Sequence, residues 1–219
     1  PPTDIRQVPY YLHSNGKANT LMGDGNLSVD ESGDDPPDKY TYNPEDPVIP
    51  VMDVNFYGST VETPLDNRFI LRRDDVLVYT SKPLEKELKI AGRSLVKLYA
   101  SSDCRDTDWF ATLADVYPDG RSISLGSGAL RARYRDSLEK PELMSPGKVY
   151  TFTIELDSTC TVFKPEHRIR LAMTSSAFPI FARNLNTGNK ILGDTEIKIA
   201  NNTIYHNENY PSHILLPTK

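Results

Sequence analysis

The side chains best suited to proton transfer near neutral pH are four histidines, His13, His167, His206 and His213. A serine hydrolase needs one of them beside a serine held on a sharp Gly-x-Ser-x-Gly elbow, with a carboxylate behind the imidazole. The nearest stretch, Leu125-Gly126-Ser127-Gly128-Ala129, lacks that spacing and reads as a hairpin turn between two strands. Ser212 and His213 are neighbours, but consecutive strand residues face opposite sides of a sheet and cannot share a proton. His206 precedes the turn Asn207-Glu208-Asn209 and His167 follows Lys164-Pro165-Glu166, so each is read as a structural or surface residue. No catalytic residue is assigned.

Three other groupings carry a chemical alternative. Asp103, Asp106 and Asp108 share one loop, where they could bind Ca²⁺ or cap backbone N–H groups in Asx turns. Arg131, Arg133 and Arg135 alternate, which on one sheet face gives either an anion platform or a row paired with carboxylates. Twelve tyrosines and one tryptophan raise carbohydrate binding. Most of these aromatics fall in strand patterns where core packing explains them, leaving Tyr40, Tyr42, Phe56 and Tyr57 as exposed candidates. Cys104 and Cys160 stand in no metal spacing and read as reduced and buried. Neither a cofactor nor a metal is expected.

Something must position these groups, and the chain is long enough to do so unaided. By surface scaling, 219 residues bury roughly 70% of the unfolded surface, so no staple is required. The formal net charge of −5, with Lys and Arg scattered among acids, argues against nucleic acid as a partner. No apolar run approaches the roughly 20 residues of a membrane span. The start Pro1-Pro2-Thr3-Asp4 looks like an internal boundary, which puts any targeting signal out of view and leaves a cytoplasmic location as the expectation.

Residues 1–50 read as irregular apart from Tyr10-Tyr11-Leu12 and a tight turn at Ser14-Asn15-Gly16-Lys17. From about residue 74 the hydrophobic period becomes two. Runs at 76–80, 95–100, 109–114, 149–156, 169–173, 196–199 and 213–216 are separated by turn signals. The expectation is an all-β jelly-roll sandwich at 71–219 with a long N-terminal arm at 1–70. Leu98, Leu113, Phe152, Ile154, Ile169, Leu171 and Met173 should lie inside it.

Several stretches in register strengthen this reading. They include Arg73-Asp74-Asp75-Val76, Asp106-Thr107-Asp108-Trp109, Asp115-Val116-Tyr117-Pro118-Asp119-Gly120 and Leu130-Arg131-Ala132-Arg133-Tyr134-Arg135. Later come Lys164-Pro165-Glu166-His167-Arg168, Ser175-Ser176-Ala177-Phe178-Pro179, Arg183-Asn184-Leu185-Asn186-Thr187-Gly188 and Pro211-Ser212-His213. In that order the chain resembles the C-terminal domain of the cocaine esterase / X-prolyl dipeptidyl-peptidase (CocE/NonD) serine hydrolases. The resemblance implies a galactose-binding-like jelly roll without catalytic residues. Its partner would be an α/β-hydrolase domain of the same polypeptide that carries the Ser-His-Asp triad. It also implies that Phe56 and Tyr57 help to line the substrate pocket. A carbohydrate-binding jelly-roll module is the alternative. The oligomeric state, monomer or homo-oligomer, stays open.

Overall fold

The computed structural model describes residues 4–50, 65–190 and 192–219. Among the described residues eleven strands are present: β1 (Arg6–His13), β2 (Asn26–Ser28), β3 (Asp38–Tyr42), β4 (Leu77–Ser81), β5 (Leu88–Ser102), β6 (Asp108–Val116), β7 (Ser122–Arg131), β8 (Tyr150–Phe163), β9 (Arg168–Thr174), β10 (Ala200–Tyr205) and β11 (His213–Thr218). Two single 3₁₀ turns, Ile70–Arg72 and Ala132–Tyr134, complete the regular structure of the described residues.

The strands form one continuous ladder, β3-β10-β5-β11-β1-β2-β4-β9-β6-β7, with β8 on the other edge of β5. The ladder turns its corner at the three-residue β2, antiparallel to β1 and parallel to β4. Its two halves then face each other as a β-sandwich, and β7 comes to rest on β8. Thr159 Oγ1 donates to the Leu125 carbonyl at 2.7 Å, and Ser127 N–H donates to Asp157 at 3.1 Å. Gly128 permits this approach, since a Cβ there would lie 2.2 Å from the Glu155 carbonyl oxygen.

Alternation dictates the core. Phe152, Ile154 and Leu156 of β8 point inward while Thr151, Thr153 and Glu155 are exposed. A register shift opposite Arg93–Leu95 then exchanges the faces, so that Phe163 is buried at the strand's end. All seven residues expected inside are at most 1% exposed, and the Trp109 ring packs on Phe152 at 5.4 Å.

Four local readings are corrected. Residues 4–50 hold three strands where only Tyr10–Leu12 was expected, because β1 pairs with the C-terminal β11, β2 with β1 and β4, and β3 with β10. Asn15-Gly16 closes no two-residue hairpin. Gly16 does take a positive φ of 78°, but the chain runs on to Asn26 before pairing with β1. Leu125–Ala129 is strand rather than turn, while Pro118-Asp119-Gly120 does form the β6–β7 turn, closed at Tyr117–Arg121. Ile197 and Ile199 precede β10 and are 39% and 53% exposed. Cys104 is buried and Cys160 exposed, and both are free thiols.

Candidate functional site

Among the described residues two Ser-His-Asp groupings form, and the linear sequence shows neither. In the first, Ser14 follows the end of β1, Asp38 opens β3 and His206 follows the end of β10. Tyr79 of β4 completes the cluster, and all four are buried. Asp38 Oδ2 accepts from Ser14 Oγ at 2.7 Å, Tyr79 Oη at 2.8 Å and His206 Nε2 at 2.8 Å. Its Oδ1 accepts the Ala18 N–H at 2.9 Å. Burial opposes the Asp38 charge, yet the donors, His206 first among them, outweigh it and hold the carboxyl below its ordinary pKa. Burial, reinforced by the Asp38 charge, raises Tyr79 well above the usual phenol value.

This cluster cannot hydrolyse. A triad histidine uses one nitrogen for the nucleophile and the other for the acid. Here Nε2 faces both Ser14 and Asp38, at 3.2 and 2.8 Å, and the serine proton is spent on the carboxylate. Burial also closes it to any substrate.

The second grouping has the bridging pattern of a triad. His13 Nδ1 lies 2.8 Å from Asp35 Oδ2 and Nε2 lies 3.3 Å from Ser28 Oγ. Nε2 is also 3.1 Å from the Asp30 carbonyl, which accepts only from a protonated nitrogen. Ser28 Oγ meanwhile takes the Asp30 N–H at 3.1 Å. The imidazole is thus a donor here, not a base, and Ser28 caps a turn. His167 pairs through Nδ1 with both Asp115 oxygens at 2.9 and 3.0 Å, and His213 Nδ1 donates to the Pro211 carbonyl at 2.7 Å.

The loop carboxylates and the arginine row answer each other. Asp108 takes a two-pronged Arg131 at 2.8 and 2.9 Å, and Asp106 accepts Arg133 Nε at 2.8 Å. Asn184 bridges both acids through one amide nitrogen, at 2.9 and 2.7 Å. Asp103 turns away to cap Asn201. The three arginines do not share a sheet face, because the chain leaves β7 into the 3₁₀ turn at Ala132. Among the described residues, no group of three His, Cys, Asp or Glu is disposed to hold a metal ion.

Two of the four aromatic candidates for an exposed sugar platform are core residues. Tyr40 and Tyr42 point inward from β3, with hydroxyls bonded to Ser175 Oγ at 2.7 Å and the Asn184 carbonyl at 3.2 Å. Phe56 and Tyr57 lie outside the described residues. The chain on either side of them is anchored by hydrogen bonds. Val48 N–H donates to Ser176 Oγ at 2.8 Å, Phe178 N–H to the Val48 carbonyl at 3.0 Å, and Ser124 N–H to the Leu65 carbonyl at 3.3 Å. Between these anchors runs a cleft of about 200 Å³ over the outer face of β6, β7 and β9, lined by Pro50, Ile70, Phe110, Thr112, Ile180 and Phe181 among others. Ile49, Phe178, Ile180 and Phe181 beside it are 39–59% exposed, an apolar patch of the kind that marks a covered surface.

Residues 1–215 match the family described as the X-Pro dipeptidyl-peptidase C-terminal non-catalytic domain. Over 219 residues the chain is 40% identical to the cocaine esterase of Rhodococcus sp. (strain MB1 Bresler), covering 99% of itself and 38% of that protein. It superposes with a TM-score of 0.87 on an aminopeptidase from the marine sediment archaeon Thaumarchaeota archaeon, at 27% identity, covering all of this chain and 37% of that one. On an α-amino-acid ester hydrolase the TM-score is 0.86 at 28% identity, covering 97% of this chain and 36% of the other. The chain thus spans well under half the length of the relatives it matches.

Proposed function

The chain belongs to the X-Pro dipeptidyl-peptidase C-terminal non-catalytic domain family, and from that premise we propose that it completes and stabilises a serine hydrolase whose triad lies in an α/β-hydrolase domain of the same polypeptide. The match across residues 1–215 carries this reading. Two closed Ser-His-Asp groupings support it from within, because neither offers a base to a nucleophile. The parent would cleave esters, amides or X-Pro dipeptide bonds. Two free thiols, one of them exposed, support a reducing, cytoplasmic setting.

In this reading residues 1–70 serve both partners and 71–219 form the sandwich. Pairing of β1, β2 and β3 ties the first part to the sandwich. The apolar patch around Ile180 faces the catalytic domain, and Phe56 and Tyr57 stand at the mouth of its substrate pocket. Arg73 donates to Asp46, and Arg183 to the Pro44 carbonyl, which fixes the approach to that segment at Pro44–Pro50.

Two outcomes are expected. The isolated chain should not turn over nitrophenyl acetate above a protein blank, since it has no base-activated nucleophile to supply the large catalytic terms. Turnover abolished by Ser28→Ala would instead make the His13 grouping a real site. In the full-length enzyme, Phe56→Ala or Tyr57→Ala should raise KM or shift acyl preference with little change in Tm. Burying one such ring against substrate is worth about 1.5–3 kcal/mol, or roughly 10- to 150-fold in kcat/KM. A lowered Tm with unaltered kinetics would assign both rings to the fold.

A further inference from the structure

The opposite end of the same outer face carries a second, larger cleft of about 550 Å³, lined by Thr80, Tyr117, Glu166, Arg168 and Arg170 among others. Period-two alternation in β9 turns Ile169 and Leu171 into the core and both arginines outward. Arg170 is nevertheless only 7% exposed. Its Nε donates to Thr80 Oγ1 at 2.9 Å, while its Nη1 is buried with no partner. Arg168 reaches only a backbone acceptor, the Ser81 carbonyl at 3.3 Å. The acid that acts on Arg170 is Asp66, and both of its oxygens are already engaged by Arg68 Nε, at 3.1 and 2.8 Å. Burial, with Arg168 next, pushes the Arg170 guanidinium down to about 10. Among the described residues, two neighbouring cations therefore share a cleft in which no carboxylate is hydrogen-bonded to either of them.

A buried cation left unpaired is costly, and the cost is recovered when an anion with matching geometry takes the open positions. We propose that this cleft is a carboxylate-binding socket, with Arg168 and Arg170 supplying the charge and Thr80 fixing the Arg170 fork. Glu166 on its rim admits a planar monoanion and disfavours a multiply charged phosphate. The carboxylate comes either from a small organic acid or from an acidic side chain elsewhere in the parent. The second source rests on the domain reading above, but binding to the isolated chain does not.

The test is titration of the isolated chain with acetate and with propionate, following the arginine Nε–Hε NMR signals. Saturable shifts of the Arg170 and Arg168 signals are expected. Arg170→Met should weaken binding at least about tenfold, with Arg170→Lys intermediate, because the bidentate fork is lost before the charge is. Arg168→Met, at an exposed position, should give a comparable loss in a chain whose fold is not at risk. In the full-length enzyme the same shifts identify a free ligand, and their absence there, with binding retained by the isolated chain, identifies an internal acid. The proposal is overturned if the isolated chain shows no saturable shift, or if Arg168→Met and Arg170→Met bind acetate as the wild type does.

Discussion

Asp38→Ala is expected to destabilise the isolated chain by about 3–5 kcal/mol, the range for removing one partner of a buried charged cluster. The carboxylate takes four donors, from Ser14, Ala18, Tyr79 and His206. These come from three separated parts of the chain, residues 14–18, Tyr79 and His206, so its removal strands polar groups where β1, β3, β4 and β10 converge. A buried donor without an acceptor costs about 1–3 kcal/mol. The pH dependence follows from the direction of the Asp38 shift. Its folded pKa lies below the ordinary value, so ionisation favours the native state. That contribution is complete above the ordinary carboxylate pKa and is lost as pH falls through the lower, folded value. Urea unfolding at pH 7 and at pH 3 should show the wild-type advantage over Asp38→Ala narrowing in acid. An equal advantage at both values would mean that the cluster acts through packing and neutral hydrogen bonds alone.

The sandwich was legible because its strands are long and apolar at every second residue, most cleanly in the first half of β8, between recognisable turns. The first fifty residues were not, for identifiable reasons. β2 is three residues long, too short for any period, and β3 reads as polar because its sequence is Asp-Lys-Tyr-Thr-Tyr. Yet Asp38, Tyr40 and Tyr42 are the inward-facing set of that strand. An acid in register with two buried tyrosines was the available sign that a polar cluster lay inside. Gly126 and Gly128 misled in the other direction. They resemble turn residues but let β7 lie against β8 across the sandwich, a contact between facing strands that no local pattern shows. Ile197 and Ile199 alternate as a strand would, but the ladder begins only at Ala200, where the partner strands β3 and β5 are in reach. The arginine row failed as a single face because the backbone coils at Ala132. Its carboxylate-paired alternative succeeded for Arg131 and Arg133, each of which lies against a buried aspartate.

The three loop aspartates supply the second large effect, and their unequal use makes it diagnostic. Asp106 is fully buried and accepts Arg133 N–H at 3.0 Å, Arg133 Nε at 2.8 Å and Asn184 Nδ2 at 2.9 Å. Asp106→Ala should therefore cost about 3–5 kcal/mol, mostly by leaving the Arg133 guanidinium buried without its acid. Asp103 is exposed and caps Asn201, so Asp103→Ala should cost only about 0.5–1.5 kcal/mol, the worth of an ordinary hydrogen bond. Adding Arg133→Met to Asp106→Ala should recover a substantial part of the loss, since an apolar side chain tolerates the site that an orphaned cation does not. A calcium site would behave otherwise. Its carboxylates would matter together, a chelator would lower the wild-type Tm, and added calcium would raise it by mass action. The ion-pair reading requires a Tm indifferent to both, a steep difference between Asp106 and Asp103, and partial rescue in the double variant. A calcium-dependent Tm, with similar losses at positions 103, 106 and 108, would return these carboxylates to the metal.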